Sequence, residues 1–517
     1  MFKISTKEHK PDAQRLKNNI EKLMERGIRV GDLETAFNVF YDKAKGLADR
    51  IKDETGINNP NSHVQISKYL ESTKDSTIYD ICYQNDKWTS NADAMEELAS
   101  RGYTFAELML KYRKAKKTSE ILKSLMDARD KNGLVHPKVT LTKTNRVSLS
   151  SPALMGIPKK ILWDVVVPFK SGNKIWSADI KNQEPSILFN LLGSKTLKEA
   201  LLSEQGIYEH MFNLCFQPET TCFVFVSPSF ENRELTKNEL ANNKSIPPAY
   251  YSPLKTPCLM RYNDEDIVLI DTCAVQCKLG SEPTLPTKVR VYTASGAKDV
   301  HVKWDDIPSK KLDKPQIIEL KGRLFEVEPI CDGIYRKEFK TSWNAMTYGS
   351  SRACVRAQCK HINGDMVYDL FHSIKELNDY QKMWKKQAKL GVNCNKTVFG
   401  TLMRTDEPLT SKLARSLMDL PIQGTGADIL DLLVDHFYSE RARLGLDSVM
   451  DLYFTRNDEP IIEVDGDWQE SVGYDYVETI LTDIFEHQID SWVPFKVVVE
   501  QVQGNGYADS LDEQDEE

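Results

Sequence analysis

No segment constrains the fold of this chain more than residues 173–192, NKIWSADIKNQEPSILFNLL. Its first half, NKIWSAD, alternates as a strand with one buried face would. The run EPSILFNLL then reads as an apolar helix, with Pro185 in the first turn, where its missing N–H costs nothing. A strand leading straight into such a helix puts Asp179 at the strand's end and Glu184 at the helix's start. Acids at the edge of a core are either a solvated turn or a metal site. A strand-end carboxylate facing a cleft binds a divalent cation through oxygen.

The rest of the chain decides between them. At 517 residues it is long enough for two to four domain-sized units with sizeable cores. Its longest apolar stretch of note, ILWDVVVPF, is too short to span a bilayer and is interrupted by Asp164. The N-terminus, MFKISTKEHK, lacks the apolar core of a signal peptide, and ten scattered cysteines suit reduced thiols in a cytosol-like compartment. A net charge of −8 argues against a nucleic-acid partner, yet twelve basic and four acidic residues lie between Arg101 and Arg146, including KYRKAKK. That run is either a phosphate track or a solvated helix face. The tail DSLDEQDEE is acidic and reads as disordered.

Residues 12–125 read mostly as helix, with GINNPNS as a break, Ser90 or Asn91 as a cap and Gly102 as a stop. Short β-like runs follow over 133–180. The stretch 217–330 opens with Pro-rich loops and continues as several antiparallel strands, among them DIVLIDTCAV, TKVRVYT, DVHVKW and QIIELKGRLFEVE. Residues 334–440 read as helix with a loop near 391–411, and DLYFTRNDEPIIEVDG as a hairpin.

Two further constellations carry chemistry. Asp458 and Glu459 stand in the hairpin turn, a commonplace position for acids. In YRKEFKTSWNAMTYG, Arg336, Lys340, Asn344 and Tyr348 recur every four residues, so a helix lines them along one face. Two cations one turn apart grip adjacent phosphates, and a planar ring further along supports a base. Together, carboxylates from separate segments able to hold two Mg²⁺ ions, a cationic helix and a basic helical region read as nucleotidyl transfer onto a polynucleotide.

At this point the sequence resembles the DNA polymerase I family, the family A polymerases, nearly end to end. DIKNQEPSIL resembles the family's motif A, RKEFKTSWNAMTYG its motif B and NDEPIIEV its motif C. KWTSNADAMEELASRGYTFAELMLKYRKAKKTSEIL is similar to the thumb's long helices, and GLVHPKVTLTKTNRVSLSSPALMGIP to the segment gripping primer–template. LARSLMDLPIQGTGADILDLLVD is similar to the palm helix, and VPFKVVVEQVQGNGYAD to the family's ending. The resemblance implies an α+β right-hand polymerase fold with helical thumb and fingers and an antiparallel-sheet palm. It assigns 1–135 to the thumb, 136–193 to the first part of the palm, 194–404 to the fingers, 405–508 to the second part of the palm and 509–517 to the tail.

It also implies roles. Asp179 and Asp458 match the two metal-binding aspartates, with the carbonyl of Ile180 completing a shell of two Mg²⁺ ions. Glu184 matches the steric gate against the 2′-hydroxyl. Arg336 and Lys340 match the triphosphate-binding cations, and Lys340 also serves to protonate leaving pyrophosphate. Tyr348 and Gly349 match the pair near the templating base, and Arg146 and Gln423 match contacts to the duplex. Glu459 is subsidiary. Lys114, Lys116 and Lys117 are the thumb's DNA-binding cations. The expected partners are primer–template DNA and deoxynucleoside triphosphates, without a membrane, in the cytoplasm of a bacterial host or of a host carrying a virus or plasmid that encodes the chain.

There are departures. Asn344 stands where the family has Phe or Tyr, Ser186 where it has Arg, Asn457 where it has His, Asp419 where it has Asn, and Tyr208 where the fingers carry His. No exonuclease domain is expected; Asp32 and Glu34 in GDLETAF mimic its signature inside the thumb's first helices and count as a decoy. The insertion at about 217–330 is either an OB- or SH3-like module that binds DNA or a replication partner, or a decoration packed on the fingers. Of Cys215, Cys222, Cys258, Cys273 and Cys277, only Cys273 and Cys277 are spaced like zinc ligands, so buried thiols are the reading. The expected function is template-directed DNA synthesis without proofreading. Its rivals are a polymerase of relaxed sugar or template choice, and a polymerase-derived protein that binds nucleic acid without useful synthesis.

Overall fold

The computed structural model describes residues 3–4, 11–84, 86–236, 239, 254–409, 411–486, 489–490 and 496–502. The expected acidic tail at 509–517 lies outside the described residues. The chain forms two compact units, Met1–Ile187 with Cys394–Arg404 and Leu420–Glu517, and Leu188–Asn393 with Thr405–Asp419. Among the described residues no helix is long and apolar enough to cross a membrane.

The first unit is built on a four-stranded sheet whose spatial order is Met450–Arg456, Glu459–Val464, Lys174–Lys181, Lys496–Val502. Every pairing in it is antiparallel. The strand Lys174–Lys181 is central, and Ile175, Trp176, Ser177 and Ala178 are all buried. Its sequence alternation suggested one wet face. The structure covers both: Trp176 stacks 4.8 Å from the Tyr474 ring and donates from Nε1 to Gln469 Oε1 at 2.9 Å. Central strands lose the alternation of burial because neither face meets water.

The helix Ala13–Arg26 is capped by Asp12, which accepts from Gln14 N at 2.9 Å. It docks through Arg15 to Asp431 at 2.7 Å and Arg26 to Asp451 at 3.2 Å. A separate helical cluster, including Leu33–Thr55, Ala92–Ser100 and Thr104–Ala128, closes around Leu47, Ile51, Leu70, Met95, Leu98 and Met109. Asn91 is the cap, accepting from Ala94 N at 2.8 Å. The decoy acids have structural work: Asp32 caps the helix Leu33–Thr55 by accepting from Thr35 N at 3.0 Å, and Glu34 pairs with Arg129 at 2.5 Å.

In the second unit, Phe212, Phe339, Trp343 and Phe371 form an aromatic core, with ring centroids 5.5, 5.6 and 5.1 Å apart in succession. They tie the helix Ile207–Cys215 to Gly333–Thr347 and Gly364–Ser373. Between them lies an extensive sheet ordered Arg233–Glu234, Cys273–Lys278, Glu219–Ser227, Gln316–Leu324, Gly296–Trp304, Lys288–Thr293, Glu265–Ile270, Leu254–Tyr262, Glu328–Pro329. It has two cores, one around Val224, Val275 and Ile318 and one around Ile267, Val291 and Val300; Trp304 packs on both.

Several local expectations are corrected. Glu219–Ser227, read as loop, is a strand buried on both faces, so ETTCFVFVS offers no two-residue period. It pairs in parallel with Cys273–Lys278, so the insertion is not wholly antiparallel. The loop near 391–411 contains a small hairpin, Cys394–Lys396 with Leu402–Arg404. Lys159–Val165, within the β-like region, is a helix. The helix Gly333–Thr347 ends one residue before Tyr348.

Candidate active site

The central strand and the hairpin bring the first acids together. The register pairs Ser177 with Ile461 and Trp176 with Ile462. Continuing that ladder brings the turn after Arg456 level with Asp179 and Ile180. Asn457 adopts φ +56, a left-handed conformation that asparagine tolerates, which accounts for Asn at this turn. Asp458 follows it. Burial pushes the Asp458 carboxyl above its ordinary value; Arg146 opposes this, while the like charges of Asp179 and Glu184 add to it. Four residues expected at the site, Asp179, Asp458, Glu184 and Arg146, therefore feel one another across three separate segments.

Arg146 Nη2 lies 3.0 Å from Glu184 Oε1, so the expected duplex contact holds the expected gate. Gln423 is reached by Thr144 Oγ1 at 3.5 Å. Gly426 makes room here: a Cβ on it would lie 2.7 Å from Gln183 Oε1. Gln183 is buried, and neither amide atom has a hydrogen-bond partner in the protein. Sequence reasoning missed it because a lone glutamine at a helix start carries no signal.

It also missed Lys159. Its Nζ lies 2.8 Å from Glu459 Oε1 and 3.6 Å from Glu500 Oε1. Burial lowers the lysine's proton affinity, but Glu459, Asp179 and Glu500 outweigh that and raise it. Arg456 Nη1 is 3.6 Å from the other Glu459 oxygen. Glu459 is thus committed to two cations, a physical reason for its subsidiary place beside Asp458.

This donor set fits a divalent cation of the magnesium type. The donors are oxygens, two carboxylates stand close enough to repel, and one has its proton affinity raised by burial. Among the described residues no group of three or more His, Cys, Asp or Glu side chains forms a closed cage. A two-carboxylate site leaves coordination positions for substrate oxygens.

The second unit carries the remaining residues. Arg336, Lys340 and Asn344 lie on the helix Gly333–Thr347, and Tyr348 is its C-cap. The helix Ile207–Cys215 packs on that face: Glu209 pairs with Arg336 Nε, the Tyr208 ring lies 5.6 Å from Lys340 Nζ, and the Tyr208 hydroxyl donates to Asn344 Oδ1 at 3.0 Å. Two departures from the family pattern, Tyr208 and Asn344, are therefore partners. Gly349 has φ +86, and a Cβ there would lie 2.7 Å from Met418 Cε, so both backbone and space require glycine. On the helix Thr104–Ala128, Lys114 and Lys117 are exposed, and Lys116 pairs with Glu120 at 3.2 Å.

The cysteines of the insertion are structural. Cys222 and Cys273 are buried opposite each other in the parallel pair, and Cys277 Sγ donates to Ser281 O at 3.1 Å.

A helical cluster beside an antiparallel sheet with acids at its hairpin is the right-hand polymerase architecture. The polymerase domain of Pol1 from M. smegmatis, solved in complex with DNA primer–template and dNTP, is similar in structure, with a TM-score of 0.61 over 94% of this chain and 69% of that one at 17% identity. Residues 31–224 match the model of DNA polymerase family A. The chain belongs to that family of DNA-directed DNA polymerases. Residues 270–326 match a bacterial Ig-like domain (group 4), which replaces the OB- or SH3-like expectation for the insertion.

Proposed function

We propose that this chain adds deoxynucleotides to a primer 3′ end on a DNA template by two-metal-ion transfer, with the thumb, palm and fingers divided as the sequence suggests. The convergence of Asp179, Asp458 and Glu184 carries the reading. Two Mg²⁺ ions, when bound, supply Lewis acidity to the attacking hydroxyl and the leaving pyrophosphate. The new bond joins the primer 3′ oxygen to the α-phosphorus, and the bond to pyrophosphate breaks.

The chain's own residues prepare this. Asp179 and Asp458, with the Ile180 carbonyl, offer the oxygens. Arg336 and Lys340 hold the triphosphate, and Lys340 delivers a proton to the departing pyrophosphate. Glu184, steadied by Arg146, crowds a ribose 2′-hydroxyl. Lys159 and Arg456 keep Glu459 out of the metal shell. Tyr348 and Gly349 support the templating base, while Arg146, Gln423 and the cations Lys114, Lys116 and Lys117 hold DNA. Synthesis without proofreading is supported by the engagement of Asp32 and Glu34 in a cap and an ion pair.

The test is extension of a primed template with Mg²⁺. Wild type should extend, and Asp179→Asn should lose several orders of magnitude, because it removes charge from the metal shell. No extension by wild type on any primed template would instead favour a nucleic-acid-binding protein. A second reading, relaxed sugar choice, is favoured by the Tyr208–Asn344 hydrogen bond, which puts a polar pair where the family has a ring at 344. Paired deoxy- and ribonucleotide reactions decide it.

A further inference from the structure

The outer face of the Ig-like insertion carries an arrangement that the polymerase reaction does not use. Three adjacent strands, Lys288–Thr293, Gly296–Trp304 and Gln316–Leu324, bury every second residue and expose the others. The register sets Lys288 opposite His301 and Lys303 opposite Arg323. Lys321, two residues before Arg323, is exposed on the same face. Like charges directly opposite in a ladder destabilise it. Nearby cations have partners: Arg290 pairs with Asp299 at 3.1 Å and Lys321 with Glu319 at 3.6 Å. Among the described residues, Lys288, Lys303 and Arg323 have none.

Beside them stands Phe325, 47% exposed, whose backbone N–H donates to His301 O at 2.9 Å. A large ring held in solvent among uncompensated cations is costly for a fold and suited to a polyanion that carries aromatic bases. The cations meet phosphates and the ring stacks a base. The sheet offers no groove for a helix and no donor–acceptor set reading a duplex edge.

We propose that this face binds single-stranded nucleic acid without sequence preference, through Lys288, Lys303 and Arg323 on the backbone and Phe325 on a base. The inference rests on the reading of the chain as a DNA polymerase, for which a single strand is template.

The experiment measures fluorescence anisotropy of labelled oligo-dT on the full chain, with excess unlabelled blunt hairpin DNA to occupy duplex-binding surfaces. Phe325→Ala should weaken dT binding by about five- to hundred-fold. Lys303→Glu with Arg323→Glu should weaken it further and flatten the salt dependence by about 1.4 in log–log slope, two single-strand phosphates' worth. Phe325→Trp should retain binding. Extension of a primer by one nucleotide on a minimal overhang should be unchanged in all variants. Unaltered dT affinity and slope in both the alanine and the double-glutamate variants, with melting temperatures equal to wild type, overturn the proposal. Wild type that binds dT but fails to extend any primer would refute the polymerase reading and leave this face intact.

Discussion

Asp428 gives the sharpest test of how the palm helix is held. It is 2% exposed on the helix Ser411–Arg443 and accepts from Thr397 Oγ1 at 2.6 Å and Thr401 Oγ1 at 2.9 Å, fastening the 394–404 hairpin. Burial pushes its carboxyl up to about 6, against 3.8 ordinarily, with the two hydroxyls pulling it back and Asp431 adding to the rise. A raised carboxyl binds its proton more tightly in the folded state. Its stabilising effect is fully present below about 4 and is lost as pH rises through about 6. Two units correspond to roughly 3 kcal/mol. Asp428→Asn keeps the size and an acceptor but cannot ionise. At pH 7 the variant should therefore melt higher than wild type relative to their order at pH 4. At about 2 °C per kcal/mol for a unit of this size, the difference should swing by about 6 °C. Differential scanning fluorimetry of both proteins from pH 4 to 7 measures it. A melting difference that stays constant over that range refutes the assignment of the buried charge to Asp428.

Other expectations follow from the same geometry. Glu184→Ala should admit ribonucleotides, and Arg146→Ala should do so more weakly because it frees Glu184; unchanged discrimination in single-nucleotide insertion would mean another residue gates the sugar. Lys159→Met leaves buried Glu459 with one distant cation and should cost about 3 kcal/mol; adding Glu459→Gln should restore much of it, and denaturation of the single and double variants tests this. Neutralising Lys114, Lys116 and Lys117 should lower the salt slope of duplex binding by about 2, since Lys116 is already paired with Glu120; an unchanged slope would make the run a solvated face.

Much of the site can be read along the chain because its pieces are local. The strand-to-helix passage at 173–192, the hairpin turn at Asn457 and the four-residue spacing of Arg336, Lys340 and Asn344 are short-range signals, and the structure has the elements they imply. Glu219–Ser227 was unreadable for the opposite reason: buried on both faces and flanked in parallel by a strand some fifty residues away, it has no period of its own. Lys159, Gln183 and the pairing of Tyr208 with Asn344 likewise depend on residues distant in sequence.

The sequence by itself determined which residue types stand at which element ends, because periodicity, caps and turn chemistry act over a few residues. Only the tertiary structure decided what each one meets: that Asp458 is buried beside Asp179, that Glu459 is claimed by Lys159, and that Asp32 and Glu34 are a cap and an ion pair. Burial and electrostatic coupling are properties of neighbours in space, and the chain brings those neighbours together only by folding.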